Sequence, residues 1–123
     1  MNKLLTTITL LCFSVVANAD PITYICAYPT WSDEDGNHPA NDFNLTFIVD
    51  SENETAYMLG NLGTSEIIFL PKITGTNFLE MSDTGNIYTT TIDDNLNSVH
   101  SRNSVILGQL LASQYYGSCT IME

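Results

Sequence analysis

The chain has 123 residues, and its 14 Asp and Glu outnumber three Lys and Arg, for a formal net charge of −11. Nucleic-acid affinity rests mostly on clustered Lys and Arg that neutralise phosphates, so a nucleic-acid partner is excluded, and an anionic membrane surface is disfavoured for the same reason. No internal repeat, low-complexity tract or second domain is visible.

The N-terminal segment places Lys3 before an apolar run from Leu4 to Ala17, followed by Ala17-Asn18-Ala19. A short positive start, an apolar centre and small residues before a cut site are the parts of a secretory signal. A run of about 14 residues is too short for a spanning helix, which needs roughly 20. Cleavage after Ala19 is expected, giving an exported bacterial protein, periplasmic or secreted, with no membrane insertion afterwards. Removing 19 of the 123 residues leaves 104, in which Lys72 and Arg102 face 14 acids, a formal charge of −12. Such a charge is compatible with a cationic protein partner, a small ligand, or solubility alone.

The remaining residues read as strands, each bounded by turn residues. The first is Ile22 to Ala27, followed by a long acidic turn from Pro29 to Asn41. The clearest strand is Phe43 to Val49, closed by Asp50-Ser51-Glu52-Asn53, whose side chains can hydrogen-bond their own backbone. Strands follow at Thr55–Leu59, Ser65–Leu70 (stopped by Pro71), Asn77–Met81 and Ile87–Ile92. A seventh spans Ser98 to about Leu107, Leu107 to Gln114 is open to a helical turn, and an eighth covers about Tyr116 to Ile121.

Cys26 and Cys119 are the two cysteines of the mature chain, and an even count in an exported protein reads as a disulfide. Closing so long a loop contributes roughly 4–5 kcal/mol as an upper figure. The bond joins the first strand to the last, with α-carbons about 5–6 Å apart. A meander whose end strands touch is an antiparallel up-and-down β-barrel of seven or eight strands. The alternative is a β-sandwich with a cross-sheet bond.

Four groups of residues could carry chemistry. Asp33, Asp35 and Asn37 match the first ligand positions of a calcium loop, but His38 stands where glycine belongs and Asn44 where a bidentate Glu belongs. The simpler reading is a hairpin turning at Asp35-Gly36. On a strand, Ser98, His100, Arg102 and Ser104 share one wholly polar face. His100 and Arg102, with Tyr115 and Tyr116 nearby in sequence, could bind an anionic ligand. The simpler reading, and the one the composition favours, is that the single mature Arg pairs with one or two of the many carboxylates and fixes strand register.

His100 beside Ser101 or Ser104 would be needed for a small hydrolase, yet no G-x-S-x-G elbow is present and no catalytic residue is assigned. No cofactor motif occurs. Tyr28 and Trp31, at the entry of the acidic turn, form a candidate surface contact patch, while the other aromatics read as core.

The segments Val99-His100-Ser101-Arg102-Asn103 and Ser113-Gln114-Tyr115-Tyr116-Gly117-Ser118-Cys119 resemble a group of short exported bacterial proteins, a likeness that carries no mechanism. In outline the chain also resembles periplasmic inhibitors of C-type lysozyme, which share the size, the leader, an eight-stranded barrel and a cysteine near each end. It departs from them in lacking an aromatic-rich C-terminal stretch leading into Lys-Gly, so no inhibitory residue transfers. That resemblance implies a cationic lysozyme as partner. The expectation is therefore a non-enzymatic, acidic binding module.

Overall fold

The computed structural model describes residues 20–71 and 74–122, so the proposed leader and Lys72 lie outside the described residues. Among the described residues there are nine strands: β1 Ile22–Asp33, β2 Gly36–Pro39, β3 Asn44–Asp50, β4 Thr55–Gly60, β5 Gly63–Pro71, β6 Thr76–Met81, β7 Ile87–Ile92, β8 Asn97–Ile106 and β9 Gln109–Met122. Eight of them run antiparallel in the order β1-β3-β4-β5-β6-β7-β8-β9, and β9 pairs back onto β1. The fold is therefore a closed barrel rather than a sandwich, with β2 added to the outer half of β1. Among the described residues there is no helix.

Closure follows from the pairing of Cys26 with Cys119. They are direct cross-strand partners joined by a disulfide, with α-carbons 3.9 Å apart. Cys26, Leu45, Phe47, Val49, Ala56, Ile67, Phe78, Ile92 and Cys119 fill the interior with Tyr28. Phe47 and Phe78 stack with ring centres 4.5 Å apart, an arrangement that adds about 0.5–1.5 kcal/mol beyond area burial. The expected turns form as their side chains dictate. Asp50 accepts from the Glu52 and Asn53 amides, and Asp93 accepts from those of Asn95 and Asn97. These bonds hold both carboxyls below the ordinary aspartate range, the Asn53 and Asn97 side chains contributing most.

Two expectations need correction. The acidic turn is not a long loop: β1 continues to Asp33, and a two-residue Glu34-Asp35 turn leads into β2, with Asp33 opposite Gly36. Continuation past Pro29 is possible because β1 bulges there, placing Tyr28 and Pro29 opposite the single residue Gly117. The bulge presses β1 onto β9 so closely that a Cβ on Gly117 would overlap the Ala27 carbonyl. It also switches which side chains face inward, from Tyr24, Cys26 and Tyr28 to Trp31. The second correction is the stretch 107–114, where residues 109–114 are strand and belong to β9. Leu107 and Gly108, with φ of 52° and 78°, form a two-residue turn between β8 and β9, the conformation that fits a tight hairpin.

Strand lengths shape one end of the barrel. β7 ends its pairing with β8 at Ile87↔Asn103, so residues 104–106 of β8 pair only with β9. The β8–β9 hairpin consequently projects about 10 Å past the neighbouring rim. Together with the β1–β2 hairpin it makes a wall β2-β1-β9-β8 standing over this mouth.

Candidate functional site

Register lines up the residues of this mouth in two inward-facing rows. In the deeper row Phe78 of β6, Thr90 of β7, His100 of β8, Tyr115 of β9 and Trp31 of β1 are successive cross-strand partners. One rung outward, two residues along each strand, Glu80, Tyr88, Arg102 and Ser113 are partners in the same way. The polar face seen on β8 therefore points into the barrel. Ser98 and His100 are buried, while Arg102 and Ser104 are half-buried nearer the opening.

His100 sits at 2% exposure with both ring nitrogens engaged. Arg102 Nε–H donates to His100 Nε2 at 3.3 Å, so Nε2 is the acceptor and Nδ1 carries the proton. Nδ1 in turn donates to Thr90 Oγ1 at 2.8 Å. Burial first, and the Arg102 charge second, push the His100 pKa down to about 4, which leaves a neutral imidazole at neutral pH. Below it, the Tyr28 hydroxyl shares a 2.8 Å hydrogen bond with Ser98. Burial raises that phenol to about 12 despite the Ser98 bond.

Arg102 contradicts the expected ion pair. Among the described residues the only contact at salt-bridge distance is His38 Nε2 to Asp33 Oδ1 at 2.8 Å, and Arg102 takes no part in one. The guanidinium carbon instead lies over three aromatic rings, at 4.9 Å from the centre of Phe43, 5.2 Å from Tyr115 and 5.7 Å from Tyr88. Contacts of this kind are worth about 0.5–2 kcal/mol each, the larger figure when desolvated. Phe43 enters from the segment just before β3 and packs 4.3 Å from Tyr115. Among the described residues the side-chain hydrogen bond of Arg102 uses Nε and none uses its terminal nitrogens. The guanidinium, with His100, Tyr88 and Glu80, lines an open cleft of about 510 Å³ whose opposite bank is the β4–β5 turn from Gly60 to Ser65. That volume is in the range of small-molecule sites. The barrel centre around Phe47, Ile67 and Phe78 is filled.

The other sequence candidates fall elsewhere. Tyr116 is 40% exposed on the outer face, where its hydroxyl donates to Gln114; it does not join His100, Arg102 and Tyr115. Tyr28 is buried core rather than surface patch, and Trp31 stacks between His38 at 4.3 Å and Tyr115 at 5.9 Å. Asp33 Oδ1 accepts from the Asp35 amide and contacts His38 Nε2 at 2.8 Å. The His38 contact is the main reason its carboxyl lies below the ordinary range. Asp35 occupies the turn and Asn37 pairs with Ser32. Among the described residues, no group of three His, Cys, Asp or Glu is placed to hold a metal ion. Ser101 faces away from His100, and Ser104 lies four residues along the strand, so neither meets the imidazole.

Three residues of the site escaped the sequence reading: Phe43, Tyr88 and Glu80. Cross-strand register brings Tyr88 and Glu80 to Arg102, and Phe43 reaches it from the segment before β3. Neither a protein-family model, nor a curated protein, nor a solved structure matches the chain.

Proposed function

We propose that the chain is an exported, non-enzymatic binding module that takes the anionic group of a small ligand at Arg102 in the mouth of the barrel. The observation that carries this reading is an arginine braced by three aromatic rings, without an ion-pair partner among the described residues, on the wall of an open cleft. The engagement of both His100 nitrogens by Thr90 and Arg102 favours binding over hydrolysis, since among the described residues no serine hydroxyl is bonded to His100. A planar carboxylate suits the guanidinium fork. The test is a two-dimensional NMR titration with acetate and benzoate at constant ionic strength. Saturable shifts are expected at Phe43, Tyr88, Arg102 and Tyr115, and they vanish in Arg102→Gln. Shifts that never saturate, or that survive Arg102→Gln, would overturn the reading.

A second reading, capture of a cationic protein, is favoured by the projecting wall. Leu107 and Leu110 are 99% and 73% exposed at its tip. Leu110 and Leu111 share a groove with Trp31, Asp33 and Glu34. An apolar anchor flanked by carboxylates complements a basic surface. If a C-type lysozyme is such a partner, the protein slows cell-wall lysis near stoichiometric dose and Leu110→Glu abolishes the effect. Unchanged lysis removes this partner.

A further inference from the structure

Glu80 has no role in anion binding, yet it lies in the same row as Arg102. Its carboxylate oxygen Oε2 is shielded from solvent and has no hydrogen-bond partner among the described residues. Leaving such an acceptor unpaired is costly, and native structures rarely tolerate it. Glu80 pairs with Tyr88 and Tyr88 with Arg102, so the acid and the arginine stand two strands apart on the inner face. Two interstrand spacings separate their α-carbons by about 10 Å. Both residues line the same cleft. They form no ion pair with each other, because the guanidinium is drawn over the Phe43 and Tyr115 rings and its Nε–H is given to His100.

We infer that the cleft is built for a small zwitterion, with its carboxylate on Arg102 and its protonated amine on Glu80. The inference rests on the Arg102 reading above and adds the second pole. A site presenting one fixed cation and one fixed acid selects a ligand of matching charge separation, since either pole alone leaves the other group unpaired. The overall acidity of the chain acts in the same direction. It disfavours a purely anionic ligand at long range, while a ligand of zero net charge meets no such opposition.

The experiment uses a molecular ruler. The oxidised protein is titrated by NMR with glycine, β-alanine, 4-aminobutyrate, 5-aminovalerate and 6-aminohexanoate, and with the plain carboxylic acid of each chain length. Affinity is expected to peak at one length, with the amino acid exceeding its plain acid by about tenfold or more, the share of one charge-assisted hydrogen bond. In Glu80→Gln this advantage disappears while the plain acid still binds. Equal binding of amino acid and plain acid in the unaltered protein overturns the inference and leaves the Arg102 reading standing. An advantage that persists in Glu80→Gln also overturns it. Failure of every carboxylate to bind removes both readings. Should Glu80→Gln fold poorly, the amino-terminally acetylated series on the unaltered protein replaces it: loss of the length optimum upholds the inference, and retention overturns it.

Discussion

Titrating His100 should govern stability in mild acid. The imidazole has an ordinary pKa near 6.5 once the chain unfolds and about 4 in the barrel, lowered by burial and by Arg102. A base whose pKa is depressed by folding binds its proton more readily in the unfolded chain. Its contribution is therefore fully present above about pH 6.5 and is lost as the pH falls toward 4. The gap between the two values corresponds to about 3 kcal/mol, of which about 2 kcal/mol has gone by pH 5. The carboxyls of Asp33, Asp50 and Asp93 lie below the ordinary aspartate value, so they stay ionised across this window and do not supply the slope. Urea unfolding followed by Trp31 fluorescence at several pH values between 7 and 5 measures the effect. His100→Gln, which can still hydrogen-bond Thr90, should flatten the profile. An NMR titration of the His100 ring in the unaltered protein gives an independent reading. A midpoint near 6.5, or a profile equally steep in His100→Gln, would refute the reasoning.

Other changes probe the rest of the architecture. Gly117→Ala places a methyl group against the Ala27 backbone and should cost at least about 2 kcal/mol in denaturant unfolding. Leu107→Asn turns Leu-Gly into the preferred Asn-Gly pair at a position with φ of 52°; a stabilisation of about 0.5–1 kcal/mol is expected in the same assay. Reducing the Cys26–Cys119 bond, which spans 93 residues, should lower stability by up to about 4–5 kcal/mol, read as an earlier melt in the presence of reductant. Arg102→Lys keeps the charge but loses the planar fork, so carboxylate affinity by NMR should fall about tenfold.

Much of the barrel is legible in the sequence because period-two alternation and turn chemistry agree from β3 to β8. The two cysteines then bring the ends together. What stays hidden is set by contacts distant in sequence. Nothing near Tyr28-Pro29 announces that β1 will run on, because the bulge works only against Gly117, and the need for glycine there arises from β1. The Leu107-Gly108 turn is obscured by an apolar residue in a conformation that favours asparagine. The inward pairing of His100 with Arg102 follows from alternation on one strand, whereas Tyr115 and Tyr116 must point to opposite faces, a distinction the same alternation contains. Glu80, Tyr88 and Phe43 carry no local mark. The roles of Glu80 and Tyr88 depend on which residues lie across from them, and that of Phe43 on the approach of its segment to Tyr115 and Arg102.

The seam between β1 and β9 also sets the order in which the molecule can be completed. β1 finds β3 and β2 within a few dozen residues, but its long ladder with β9 waits for the far end of the chain, Cys119 lying 93 residues beyond Cys26. Contacts of such separation are the slow part of folding. Until the final strand is synthesised, the first has an open edge and Cys26 lacks its cross-strand partner Cys119. A chain in that condition has neither its seam nor its clasp, so the covalent bond can only follow the last strand.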